Sequence, residues 1–291
     1  MFNFRYRNIN GTALELGQKR PFLITSREGL EAVENEITST TQYNLDGAEL
    51  VGQRLNTRSI TLKGEMIADT QEELQSLRMQ MISIFNPRLS GVLEYRVEGK
   101  IYNIDVLTEI APKFGSEQTS QTYTFTIELK ALNPYWYDVT DYNKLIPLSQ
   151  LQDNMTWPLK ITPKYVFSKM ISGNITTITN NGDIETGAEY TLKIGGDVQN
   201  IKVLNIVNGD FFQINYTFMT GDVVVLNTIR QKFSVKLTRS NGDVVNLIGN
   251  RELNSSFFQL NKGDNYIQVT ADVGKELIIA DMKFTPLVLG V

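Results

Sequence analysis

Catalysis in this chain would have to be run by carboxylates, hydroxyls and amines, because its 291 residues include neither histidine nor cysteine. That absence removes imidazole bases, thiolate nucleophiles, disulfides, and zinc or haem sites with His or Cys ligands. What remains is a carboxylate pair, a serine with a lysine base, or a metal held by carboxylates. Acidic residues do lie close together, as in Glu72-Glu73, Glu94 with Glu98, and Asp138 with Asp141. Each set falls where a helix start, a solvated strand face or a linker already accounts for it. No G-x-S-x-G, helix-start Ser-x-x-Lys, G-x-x-x-x-G-K-[ST] or G-x-G-x-x-G occurs. Gly-Asp pairs recur from Gly182-Asp183 to Gly263-Asp264, but none sits in a D-x-[DN]-x-[DN]-G calcium loop. The sequence predicts no enzyme, no cofactor and no metal.

The elements that would position any site are mostly strands. Residues 58–67, 91–97, 101–106 and 122–132 alternate apolar and polar side chains, the period of a half-buried strand. One helix is predicted over about residues 69–85. Thr70 and Glu73 offer a capping box, Leu74, Leu77, Met81, Ile82 and Phe85 recur at helical spacing, and Asn86-Pro87 stops it. Further on, short strands at 175–179, 189–194, 211–218, 222–227, 266–270 and 276–279 are spaced as in a β-sandwich or jelly roll. Asn-Gly at 181–182 and 241–242 supplies hairpin turn chemistry. The fold class is mainly β: an N-terminal sandwich or split barrel with one helix, then a second β-sandwich. Domains are expected at residues 1–140 and 159–291, with 141–158 as linker. Trp136 and Trp157 near the boundary read as inter-domain packing.

Charge separates the two halves. The chain carries 28 Lys plus Arg against 32 Asp plus Glu, a net charge of -4. Residues 1–140 hold 14 basic side chains, 9 of them Arg, against 18 acidic, whereas residues 141–291 hold 14 of each with only 3 Arg. Arg is favoured at interfaces and Lys is depleted there, which points to the first lobe for subunit contacts. Residues 43–51, with Asp46-Gly47 as turn, read as a protruding or edge hairpin. Tyr43, Leu45, Leu50, Val51, Arg54 and Arg58 are the candidate oligomer or partner interface. A net-negative chain argues against gripping phosphate backbones. No apolar run approaches the ~18 residues of a membrane span, and no signal peptide is visible, so neither a membrane nor export is expected.

Taken in order, several motifs resemble the distal tail (Dit) protein family of long noncontractile-tailed phages of Gram-positive hosts. In the first lobe these are Arg58-Ser-Ile-Thr-Leu-Lys-Gly-Glu, Glu72-Glu73-Leu74 with Leu77-Arg78, Phe85-Asn86-Pro87, Gly91 with Leu93-Glu94-Tyr95, and Asn133-Pro134-Tyr135-Trp136. In the second they are Asn180 to Gly187, Gly221-Asp222, Phe257-Phe258-Gln-Leu260 with Lys262-Gly263-Asp264-Asn265, and Phe284 to Gly290. The resemblance implies a virion component assembled in the host cytoplasm: a homo-hexameric ring built by the N-terminal lobes, with galectin-like lobes outside. The partners it implies are the major tail tube protein, a tail-associated lysin or tail-fibre protein, and a receptor-binding protein. DNA passes through its channel without specific binding, and the negative first lobe suits that passage. A second reading, from another class, is a carbohydrate-binding module acting in adsorption, which needs exposed aromatics among residues such as Phe211, Tyr216, Phe218, Phe257, Phe258 and Tyr266.

Overall fold

The computed structural model describes residues 2–31, 33–44, 46–118, 121–139, 144–153, 168–171 and 175–291. The chain divides into two compact units, Met1–Thr140 with Leu287–Val291, and Asp141–Pro286. The last five residues thus belong to the first unit, not to the C-terminal domain that the sequence assigned them to. Strand pairing is the reason: Leu287 and Val288 pair with Tyr137 and Trp136. Of the expected linker, residues 141–143 and 154–158, including Trp157, lie outside the described residues.

The first unit comprises β1 (Phe2–Asn8), β2 (Ala13–Gly17), β3 (Phe22–Glu28), β4 (Asn35–Thr40), β5 (Glu49–Leu55), β6 (Arg58–Ile67), α1 (Gln71–Ile84), β7 (Ser90–Val97), β8 (Lys100–Gln118), β9 (Thr122–Ala131) and β10 (Trp136–Asp138). Seven of these strands close on themselves in the order β8-β7-β1-β2-β3-β6-β9, with β9 returning to β8. Closure depends on β8, whose 19 residues pair first with β7 and then with β9 across several register shifts. Shifts of this kind bend a strand and let a sheet curl. The seam is between β2 and β3, joined by one parallel bridge at Gly17 and Leu23. Alternating side chains fill the interior, including Phe4, Tyr6, Leu16, Ile60, Leu62, Phe125 and Ile127, all buried. Each such burial contributes about 1.5–3 kcal/mol.

Helix α1 adds Leu74, Met81 and Ile84 to the same core, followed by Phe85, which stacks on Tyr6 with ring centroids 4.2 Å apart. Its N-terminus carries the expected cap: Thr70 Oγ1 accepts the Glu73 N–H at 3.2 Å, and Glu73 Oε2 accepts the Asp69 N–H at 3.2 Å. Thr70→Ala should therefore cost about 1 kcal/mol in a urea melt, and an unchanged midpoint would show the cap to be idle.

The second unit comprises β11 (Ile146–Pro147), β12 (Gln150–Asp153), β13 (Ser168–Ile171), β14 (Ile175–Asn180), β15 (Ala188–Ile194), β16 (Val198–Asn205), β17 (Phe211–Phe218), β18 (Val223–Asn227), β19 (Ser234–Thr238), β20 (Val244–Asn246), β21 (Gly263–Val273) and β22 (Ile278–Phe284). One sheet runs β11-β22-β15-β18-β19-β20 and the other β14-β21-β16-β17, with β12 and β13 as a separate pair. Their inner faces share one core, with Tyr190, Leu192 and Leu226 from the first and Val203, Phe212 and Val269 from the second. The strand expected at 276–279 starts later, because Lys275–Leu277 forms a 3-10 turn and the strand runs Ile278–Phe284. Two turns repeat one design: the Asn208 and Asn241 side chains each accept the N–H of the aspartate two residues on, at 3.0 Å, around a left-handed Gly209 or Gly242. Asn181-Gly182 differs. There the buried Asn180 side chain holds the turn by accepting the Gly182 N–H at 3.0 Å.

The Tyr190 phenol is buried and has no hydrogen-bond partner among the described residues. Burial pushes its ionisation far above the usual phenol value. A raised folded pKa gives stability that is intact below the unfolded value near 10 and is lost as pH climbs above it. Tyr190→Phe should leave stability at pH 7 unchanged or slightly higher and flatten its decline above pH 10, checked by urea melts at both pH values. A variant that declines as steeply as the parent would show that another group sets the alkaline limit.

Candidate assembly surfaces

Arg58, expected at an interface, is instead an internal staple with only 2% of its surface exposed. Strand alternation turns its side chain inward, and segments distant in sequence converge on it. Nε donates to the Pro134 carbonyl at 2.8 Å, and Nη1 donates to Gly29 and Leu30, both at 2.8 Å. Nη2 donates to the Leu289 carbonyl, 231 residues away in sequence. Burial pushes the guanidinium below its ordinary pKa, while the carbonyl dipoles compensate the buried charge. The backbone is built for this approach. Gly29 takes φ +82, and a Cβ there would lie 1.9 Å from the Ser59 oxygen; one on Gly290 would lie 2.3 Å from the Glu31 oxygen.

The same station explains the Asn133-Pro134-Tyr135-Trp136 motif. Asn133 Oδ1 accepts the Tyr135 N–H at 3.4 Å, Pro134 presents its carbonyl to Arg58, and Trp136 Nε1 donates to the Leu30 carbonyl at 3.2 Å. Trp136 is fully buried in the core of the first unit, 6.4 Å from the Tyr95 ring. Inter-domain packing is therefore not its role, because β10 carries it into the first sheet. In Phe85-Asn86-Pro87, Phe85 packs in the core, Asn86 Oδ1 accepts the Arg88 N–H at 3.0 Å, and Pro87 lies exposed where the helix has ended.

Among the described residues, strands β4 and β5 form a two-stranded arm paired only with each other. Asn35 opposes Leu55, Ile37 opposes Gln53 and Ser39 opposes Leu50, with a bulge at Val51. Ile37, Leu50 and Val51 are 62%, 58% and 64% exposed, and Tyr43 near the tip is 94% exposed. Arg54 is engaged within the arm by Glu36 at 2.8 Å, an exposed pair worth under about 1 kcal/mol. Leu45 lies outside the described residues. Of the six interface candidates, the arm thus brings Tyr43, Leu50, Val51 and Arg54 together, and Arg58 stands apart in the core. An isolated two-stranded ribbon is marginal in water, and this one leaves apolar side chains uncovered among the described residues.

A second surface escaped the sequence reading. Where β1 and β7 begin and end beside the β2–β3 connection, Phe2, Asn3, Lys19, Arg20, Pro21 and Arg96 line an open cleft of about 470 Å³. Arg5 and Arg7 continue from it along β1, beside a small hollow lined also by Val92, Glu94 and Asn103. Arg96 is held by Glu94 at 2.6 Å, but Arg5, Arg7 and Lys19 make no ion pair among the described residues. Alternation on β1 was the only available signal, since it puts Arg5 and Arg7 on one face.

Comparison with known proteins agrees with this architecture. Residues 9–131 match the phage tail protein RIFT-related domain, and residues 181–286 match the siphovirus-type tail component, C-terminal domain. The crystal structure of SPP1 Dit, described as a paradigm of hub adsorption apparatus in Gram-positive-infecting phages, superposes with a TM-score of 0.68 at 13% identity, over 98% of each chain. Chains of the phage p2 baseplate in its activated conformation superpose with TM-scores of 0.54 with Ca and 0.52 with Sr, each at 10% identity and over 100% of both chains. A search of curated proteins finds no match. Two family models in the expected order, spanning both units, place the chain in the siphophage distal tail protein family.

Proposed function

We propose that the protein is a non-enzymatic hub that closes into a hexameric ring at the distal end of the tail. On this reading it joins the tail tube protein on one face to a tail-associated lysin or tail-fibre protein on the other. The second units offer mounts for receptor-binding proteins, and the ring assembles in the host cytoplasm. The observation that carries the reading is the pairing of a tail-protein domain with a distal-tail C-terminal domain in one chain, together with the end-to-end likeness to SPP1 Dit. Excess negative charge over residues 1–140 supports a channel that passes DNA without gripping it.

The carbohydrate reading gains little support. Phe218 and Phe258 are buried, Phe211, Tyr216 and Phe257 are half-buried, and Tyr266 is exposed without a second exposed ring of that set. Gold-labelled antibody against the second unit should mark the tail tip of purified particles, and disrupting the gene should leave particles without tip proteins. Label spread along the tube, or tips that assemble normally without the protein, would contradict the hub.

A further inference from the structure

We infer that the β4–β5 arm of one copy docks in the cationic cleft beside β1 and β2 of the next copy. The inference rests on the ring reading and names the contact that would build it.

Three observations point to this occupant. The first is charge. Residues 34–56 contain four acidic side chains, Glu34, Glu36, Asp46 and Glu49, against one basic, Arg54. The cleft and the adjoining β1 face carry Arg5, Arg7, Lys19, Arg20 and Arg96 against Glu15 and Glu94, and three of those cations have no ion pair among the described residues. Opposed patches of this kind steer association and fix its register.

The second is shape. The arm presents an almost fully exposed Tyr43 near its tip, and the cleft offers Phe2 and Pro21 in a volume that accommodates an aromatic side chain. Tyrosine and arginine are the residue types most often found as anchors at interfaces.

The third is placement. The arm leaves the barrel after β3 ends at Glu28, whereas the cleft lies by residues 17–21, where β3 begins. Two different complementary patches at opposite ends of one strand make a head-to-tail contact. Repetition of such a contact closes a ring when the rotation permits, whereas a two-fold contact would stop at a dimer.

The test uses the full chain, whose lack of cysteine leaves no background for thiol chemistry. A Tyr43→Cys, Lys19→Cys double variant treated with a short bismaleimide should give a ladder of covalent multimers up to six on a denaturing gel. Each single variant should give none above dimer. Arg5→Glu with Arg7→Glu should weaken self-association at least ten-fold, and Asp46→Arg with Glu49→Arg in the same chain should restore most of it. These side chains lie on outer surfaces, and an unchanged melting profile will show that each variant folds. Rings that form normally while the ladder is absent and the Glu variant assembles like the parent would overturn the docking and leave the hub reading intact. Failure of the unmodified chain to form any oligomer, alone or with tail partners, would overturn both.

Discussion

Replacing Arg58 with alanine is expected to lower the stability of the first unit by about 3–5 kcal/mol, the usual cost of breaking a buried charged network by removing one member. For a unit of this size that corresponds to a fall in melting temperature on the order of 10 °C. The loss has two parts. The carbonyls of Gly29, Leu30, Pro134 and Leu289 give up a charge-assisted donor inside the protein, and a large side-chain volume is left empty. Arg58→Lys should recover little, because one ammonium cannot reproduce a planar fork spanning three segments. Deleting residues 287–291 should reproduce part of the effect, since this segment supplies the Leu289 acceptor and its Leu287–Val288 pairs with β10. Differential scanning calorimetry on monomeric protein checks this, and a melting temperature within 2 °C of the parent, on the scale of that predicted shift, would return Arg58 to the surface role first expected of it.

The second large effect is expected on the arm, with the opposite signature. Leu50→Lys with Val51→Lys should abolish self-association and leave the melting temperature of the monomer nearly unchanged, because both side chains are already more than half exposed. Loss of two apolar contacts at an interface core amounts to about 2 kcal/mol or more for each anchor, enough to weaken assembly by two orders of magnitude or more. Sedimentation velocity across a concentration series gives the readout. Assembly at parental concentrations would exclude the arm from the subunit contact.

Reading the sequence went furthest where one local rule decides the structure. Helix α1 is an example: its cap, its apolar spacing and its Asn-Pro stop lie within 19 residues, from Asp69 to Pro87, and they agree. Part of the second unit was legible for the same reason, in the short runs that form β14, β15, β17, β18 and β21, whereas the core strands β16 and β19 were not singled out. Arg58 shows where local rules end. It reads as the first residue of an alternating strand near an Arg-rich hairpin, and nothing nearby announces that Leu289 and Pro134 will cover it. The return of Leu287–Val291 to the first unit is hidden in the same way, because strand pairing across such a separation leaves no mark on either segment. Barrel closure was also beyond local reading, since it rests on the register shifts of β8. The arm was recognised from its turn, but the cationic cleft was not, because Lys19, Arg20 and Arg96 meet only once β1, β2 and β7 pair.

Whether six copies close into a ring is read from the native mass of the purified protein by light scattering after size exclusion, with negative-stain images of the same peak. The expected mass is about 198 kDa, six chains of 33.0 kDa, in ring-shaped particles. A strict monomer of 33.0 kDa at high concentration, with no ring even when tail-tip partners are added, would contradict it.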